Sequence, residues 1–162
     1  MSSPIANPKK GFTRSFLIAL HQRLSHRSRV SVLSQSLSRV VESLPAASGK
    51  LSCLDIGCGD MQIAEHIGLL NPKTDWTCID VYALPEDLGR EQRWAKYRQF
   101  DGLHIPFGER SFDVALLCDV LHHDYRHAGD LLREAGRVAR FIVVKDHFAH
   151  SRYARLMLLV MD

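Results

Sequence analysis

The segment Leu51-Ser52-Cys53-Leu54-Asp55-Ile56-Gly57-Cys58-Gly59-Asp60 constrains this chain more than any other. It reads as a short buried strand that breaks into a glycine-rich turn and opens a helix. Gly57 and Gly59 carry no Cβ, so a ligand can approach the backbone of the turn closely. Asp60 stands where it can cap the helix, and Ile63, Ile67 and Leu70 recur on one helical face. A second strand, Trp76-Thr77-Cys78-Ile79-Asp80, ends in a carboxylate 21 residues after Gly59. A strand, glycine turn, helix, strand and acid in that order suit a nucleoside, with the second acid placed for ribose hydroxyls.

The dinucleotide pattern G-x-G-x-x-G is not completed, because its third glycine would fall at Gln62. The segment instead resembles the first motif of class I S-adenosylmethionine (AdoMet)-dependent methyltransferases, which runs acid-x-Gly-x-Gly. Two later segments agree with that resemblance. Phe100-Asp101-Gly102 followed by Ile105-Pro106-Phe107 is similar to the family's adenine-binding turn. Ser111-Phe112-Asp113-Val114-Ala115-Leu116-Leu117-Cys118-Asp119-Val120-Leu121-His122-His123 is similar to its fourth strand and the loop after it. The resemblance covers about residues 28 to 150, and within it the methyltransferase type 11 group. One departure stands out: the family often has a third glycine where this chain has Met61.

The resemblance implies a set of site residues. Backbone groups around Gly57, Cys58 and Gly59 would hold the methionine portion of AdoMet. Asp55 would order that loop and face the donor's ammonium. Asp80 would accept from both ribose hydroxyls, and Val81 would pack on adenine. Asp101 would accept from the exocyclic amine, with the Gly102 amide on a ring nitrogen, and Cys118 would stand at the end of the fourth strand against the cofactor. Asp101-Gly102 also fits an ordinary turn.

Strands alternating with helices imply an α/β fold: a Rossmann-like, doubly wound parallel sheet of about five strands with helices on both faces. Expected strands are the two named above, Lys96–Phe100, Phe112–Cys118 and Phe141–Val144. A helix carrying Val30, Leu33, Leu37, Val40, Val41 and Leu44 should stop at Pro45, and another should carry Leu131, Leu132, Ala135 and Val138. Residues 12–24 could form a short helix and 86–95 a short polar one. The domain is expected over 28–162, after a partly disordered extension over 1–27. The resembled fold has seven strands and only five are legible here, and Leu156–Asp162 is an apolar run without a helix-stop signal. The chain is therefore expected to be incomplete at its C-terminus.

Residues 1–41 hold seven Lys and Arg and no acid, whereas the chain as a whole carries a formal charge of +3. That leader reads as a solvated extension, with an organelle transit peptide or a weak contact to anionic membranes as alternatives. It lacks interleaved aromatic residues, so no nucleic-acid partner is expected. Cys53, Cys58, Cys78 and Cys118 form no C-x-x-C pair and fall in or beside core strands, which favours free thiols and a cytoplasmic location.

His122, His123, Asp124 and His127 follow the fourth strand, and Asp146, His147 and His150 follow the fifth. Loops at those strand ends should face a methyl acceptor. His123 and His147 are the candidate general bases, because a neutral imidazole is poised near pH 7. No metal is expected, since His-His-Asp lacks helical i, i+4 ligand spacing. The function expected is methyl transfer from AdoMet to a small-molecule or lipid-like acceptor. A nicotinamide-dependent oxidoreductase and a non-catalytic AdoMet-binding domain are the alternatives.

Overall fold

A computed structural model describes residues 28–46, 49–83 and 95–147 of the 162. The expected helix over 12–24, most of the polar segment 86–95, the apolar run 156–162 and the part of the basic leader before residue 28 lie outside the described residues. The structure opens with helix α1 over 28–42. There follow β1 (Leu51–Ile56), α2 (Gln62–Leu70), β2 (Thr74–Asp80), β3 (Tyr97–Gln99), β4 (Phe112–Cys118), α3 (Ala128–Val138) and β5 (Ala139–Lys145). The strands form one sheet in the order β3-β2-β1-β4-β5, and every neighbouring pair is parallel. This is a Rossmann-like α/β sheet, as the alternating elements imply.

Alternation along the strands sorts the core into two layers. Leu51 and Cys53 of β1, Trp76 and Cys78 of β2, and Val114 and Leu116 of β4 pack with Leu37 and Val41 of α1 and Ala64 and Ile67 of α2. Leu54, Ile56, Ile79, Ala115 and Leu117 point the other way, onto Leu131, Ala135 and Val138 of α3. Helices therefore cover both faces, and the central strand β1 is apolar on both, as a buried parallel strand must be.

Local details depart from expectation for physical reasons. Helix α1 ends at residue 42, three short of Pro45, because the residue before a proline is pushed out of the α region. Val40 is exposed rather than core-facing, while Ser34 and Ser38 lie on the buried stripe with Val30, Leu37 and Val41. Strand β3 is shorter than its expected span, and β5 starts two residues early, directly after the last residue of α3.

Two polar clamps set the geometry of the sheet. The Asp113 carboxylate accepts from the amide and hydroxyl of Ser52, at 2.9 and 3.0 Å, and the Ser52 hydroxyl accepts from the Asp113 amide, so β4 is locked to β1. Arg137 donates to the carbonyls of Phe107 and Ile105, and its partner Glu134 accepts from the Ile105 amide. The Ile105-Pro106-Phe107 turn is thereby tied to α3, and Phe107 meets Phe112 edge to face.

Candidate functional site

A parallel sheet presents the carboxyl ends of all its strands on one edge, and ligands bind beyond that edge where the strand order reverses. Here the reversal lies between β1 and β4. A cavity of about 620 Å³ opens there, walled by Gly57 and Gly59 after β1, Asp80 at the end of β2, Gly102, and Asp119 and His123 after β4.

The turn after β1 is held by its own amides. Gly57 and Cys58 donate to the Ile79 carbonyl at 2.8 and 3.2 Å, and the Met61 amide closes onto the Cys58 carbonyl. The Gly59 amide donates to Asp80 at 2.8 Å. These N–H groups are used within the fold, so what the turn offers a ligand is Cβ-free backbone. Gly57 needs its glycine twice over: φ is +72°, and a Cβ there would lie 2.5 Å from Val120. Gly59 also has positive φ, but the space around it is open. Cys58 points away from the cavity into the core. A hydrogen bond with Cys78 and burial push its thiol far above the usual cysteine range.

Met61 stands where the resembled family often has a third glycine. It keeps a glycine-like φ of +62° and packs its side chain among the residues under α2, 2% exposed. It is also the residue that precedes the first turn of α2, a place expected for Asp60. Asp60 still accepts from the Gln62 amide, at 3.2 Å.

Two acids flank this turn. Asp80 is buried and lines the cavity, with Gly59 and, at 3.4 Å, Tyr82 donating to it. Asp55 lies deeper, 2% exposed, and is not among the cavity-lining residues. Its Oδ2 has no hydrogen-bond partner among the described residues. Burial, reinforced by the charge of Asp80, raises its pKa to about 7.

Asp101 lines the cavity, yet its carboxylate closes its own turn, accepting from the amides of Leu103 and His104 and pairing with the His104 ring. The His104 amide, the His104 ring and the Leu103 amide hold its pKa down at about 2. Gly102 takes a φ of +87°, where a Cβ would press on Val81 at 3.1 Å. Cys118 is not among the lining residues. It packs against the core, and burial raises its thiol to about 12.

The ends of β4 and β5 carry the titratable groups. His123 and the Asp124–His127 pair line the cavity. The rings of His122 and His123 lie 4.1 Å apart. His147 is not a lining residue; its Nδ1 stands 2.9 Å from Asp119 Oδ1. Asp119 is a wall residue that sequence reasoning did not single out, although it lies inside the fourth-strand motif. It adopts φ +57° and takes Lys145 on both carboxylate oxygens, at 2.5 and 2.6 Å. Asp146 accepts from the Leu121 and His147 amides and from the His122 ring. Burial opposes its charge, but those donors outweigh it and hold the pKa below the usual carboxylate range.

Residues 54–141 match a known family, described as methyltransferase domain. Two strains of Pseudomonas putida have a protein named ribosomal RNA large subunit methyltransferase G that is 31% identical over 131 residues, covering 70% of this chain. The chain spans about a third of the length of these curated relatives. Their name overturns the expectation that nucleic acid is no partner for such a domain: both are named for ribosomal RNA. Among solved structures, the YcgJ protein of Bacillus subtilis aligns with a TM-score of 0.57 at 20% identity, over 77% of this chain and 55% of that one. The 1,6-didemethyltoxoflavin-N1-methyltransferase of Burkholderia thailandensis, solved with S-adenosylhomocysteine, aligns at 0.52 and 22%, over 88% of this chain and 66% of that one. Both share the fold. Among the described residues, no helix is long and apolar enough to cross a membrane. A glycine turn after β1 beside a buried carboxylate at the end of β2, in a segment that matches the family over most of the sheet, makes this chain a member of the methyltransferase-domain family.

Proposed function

We propose that this domain binds S-adenosylmethionine in the cavity beyond β1, β2 and β4 and transfers its methyl group to an acceptor on the β4–β5 side. The observation that carries the reading is Asp80, a buried carboxylate at the end of β2 with its edge in the cavity beside the Cβ-free turn. The residues fit the donor. Open space at Gly59 admits the methionine portion, Asp80 suits vicinal ribose hydroxyls, and Val81 with Gly102 makes a flat apolar and backbone wall for adenine. Asp101 supports that wall by closing its turn, and Asp55 sits beneath the glycine turn as an ordering group.

Bound AdoMet supplies a methyl already activated on a sulfonium. What the chain must add is alignment and exclusion of water. Val120 and Leu121 supply apolar wall on the acceptor side, which suits a small-molecule or lipid-like acceptor. His123 is the first candidate base because it lines the cavity, and His147 the second, one layer back behind Asp119. Where the acceptor loses a proton in the transition state, His123→Ala lowers the single-turnover rate about 10²–10⁴-fold without changing donor affinity. A ribosomal RNA acceptor is the second reading, favoured by the name of the Pseudomonas putida relatives.

Calorimetric titration of the chain with S-adenosylhomocysteine and separately with NADH tests the proposal. Saturable binding of the nucleoside thioether and none of NADH is expected. Binding of NADH alone would assign the cavity to hydride chemistry and overturn the reading.

A further inference from the structure

At the ends of β4 and β5, where Asp119 forms part of the cavity wall, four ligating side chains gather. Asp119, His122, Asp146 and His147 bring one ligand-type atom each within 4.8 Å of one another. They come from two neighbouring strand ends, because Cys118 pairs with Lys145 across the β4–β5 register. The His122 and Asp146 side chains are 7% and 8% exposed, and their Nδ1 and Oδ1 lie 2.6 Å apart. His147 Nδ1 and Asp119 Oδ1 lie 2.9 Å apart. That contact does not have hydrogen-bond geometry, so the His147 Nδ1 is a buried nitrogen without a partner among the described residues.

We infer that these four side chains form a site for a divalent first-row transition metal such as Zn²⁺ or Co²⁺. Two imidazoles and two carboxylates are the donor set such ions take, whereas Mg²⁺ and Ca²⁺ select oxygen ligands alone. Ligand bonds of about 2.0–2.2 Å place donor atoms roughly 3.3–3.6 Å apart in a tetrahedron. The four donor atoms span up to 4.8 Å, with two pairs at 2.6 and 2.9 Å, so taking up an ion would part those pairs and draw the others together. A cation there meets the unpartnered His147 nitrogen directly. The carboxylates of Asp119 and Asp146 supply anionic ligands to a cation there. Lys145 is the competing cation, because it already holds Asp119. The ion would bind the ends of β4 and β5 together and set a positive charge behind the cavity wall, close to His123.

The test uses the untagged chain, stripped with a chelator and dialysed, so that no engineered histidine contributes. Co²⁺ alone is added and its visible ligand-field absorption is followed, with Zn²⁺ alone titrated by calorimetry. One saturable ion per chain is expected. His122→Ala and His147→Ala should each weaken binding on the order of 10–100-fold while circular dichroism stays that of the wild type. Should His122→Ala fail to fold, His147→Gln at the more exposed position carries the same test. Lys145→Met, which removes the competing ammonium, should bind at least as tightly as the wild type. Absence of a saturable Co²⁺ band would overturn the site. So would a band unchanged in both folded histidine variants, or a thiolate charge-transfer band that assigns the ion to the cysteines.

Discussion

The two halves of the cavity are built on different principles. The half walled by β1 and β2 is a backbone structure: Gly57, Cys58 and Gly59 spend their amides on Ile79 and Asp80, and the carboxylates of Asp55 and Asp80 are buried. The side beyond β4 is a side-chain structure: His123, Asp124 and His127 line it, and His122, Asp146 and His147 stand behind them, pairing or stacking with one another. A backbone template resists change, because its geometry is the geometry of the sheet. A side-chain lattice can be re-tuned by single substitutions that leave the fold alone.

The sharpest way to break this contrast is at Gly57. Gly57→Ala adds a strained left-handed residue and a contact with Val120 at 2.5 Å. It should lower stability by about 2–4 kcal/mol in denaturant titration. Gly59→Ala, with positive φ but open space, should cost only about 1–2 kcal/mol. Equal losses at the two positions would remove Val120 as the reason for the first glycine.

Asp55 gives the next effect, through pH. Its pKa is raised to about 7 in the folded chain by burial and by Asp80, against about 3.9 for an unfolded aspartate. Between those values the folded chain binds a proton that the unfolded chain has released, so stability falls as pH rises through this window. The contribution is fully present below pH ~4 and gone above pH ~7. Asp55→Asn should flatten that slope and make the protein more stable than the wild type at pH 8, by roughly 1–3 kcal/mol. Parallel stability curves for the two proteins across pH 4–8 would show that the carboxyl is charged and satisfied in the fold.

The smallest effect belongs to the side-chain half. Asp124 raises the pKa of His127 through a hydrogen bond and its charge, on an exposed pair. In Asp124→Asn, the His127 ring should titrate at lower pH by NMR, while thermal stability stays within about 0.5 kcal/mol of the wild type. A large loss of stability would mean that this half is as rigid as the other.

How far each half was legible in the sequence follows from the same difference. The β1 turn, Asp80 and Gly102 are local in the chain, so Leu51–Asp60, Trp76–Asp80 and Phe100–Gly102 carry their signal in short segments. The local signal did not reveal that the amides of the turn are already engaged, because their partner Ile79 comes from the neighbouring strand. Nor did it place Met61, whose side chain finds room beneath α2 while its backbone keeps the glycine conformation. The histidine cluster was legible only as two lists. His122 and Asp146 are 24 residues apart and meet because β4 and β5 pair in parallel. Helical i, i+4 spacing does not register residues that the pairing of neighbouring strands brings together. Cys118 and Asp55 fall beside the cavity rather than on its wall, a difference of one strand face that the motif alone does not resolve.

We propose that Asp80 holds the donor's ribose, with Asp101 in a supporting role. Calorimetry of S-adenosylhomocysteine with wild type, Asp80→Asn and Asp101→Ala tests it most directly. Losing a charge-assisted hydrogen bond costs roughly 1.5–3 kcal/mol, so Asp80→Asn should weaken binding about tenfold or more. Asp101→Ala should weaken it less, since that carboxylate is exposed and engaged with its own turn. Unchanged affinity in a folded Asp80→Asn variant, or a larger loss at Asp101 than at Asp80, would contradict the account.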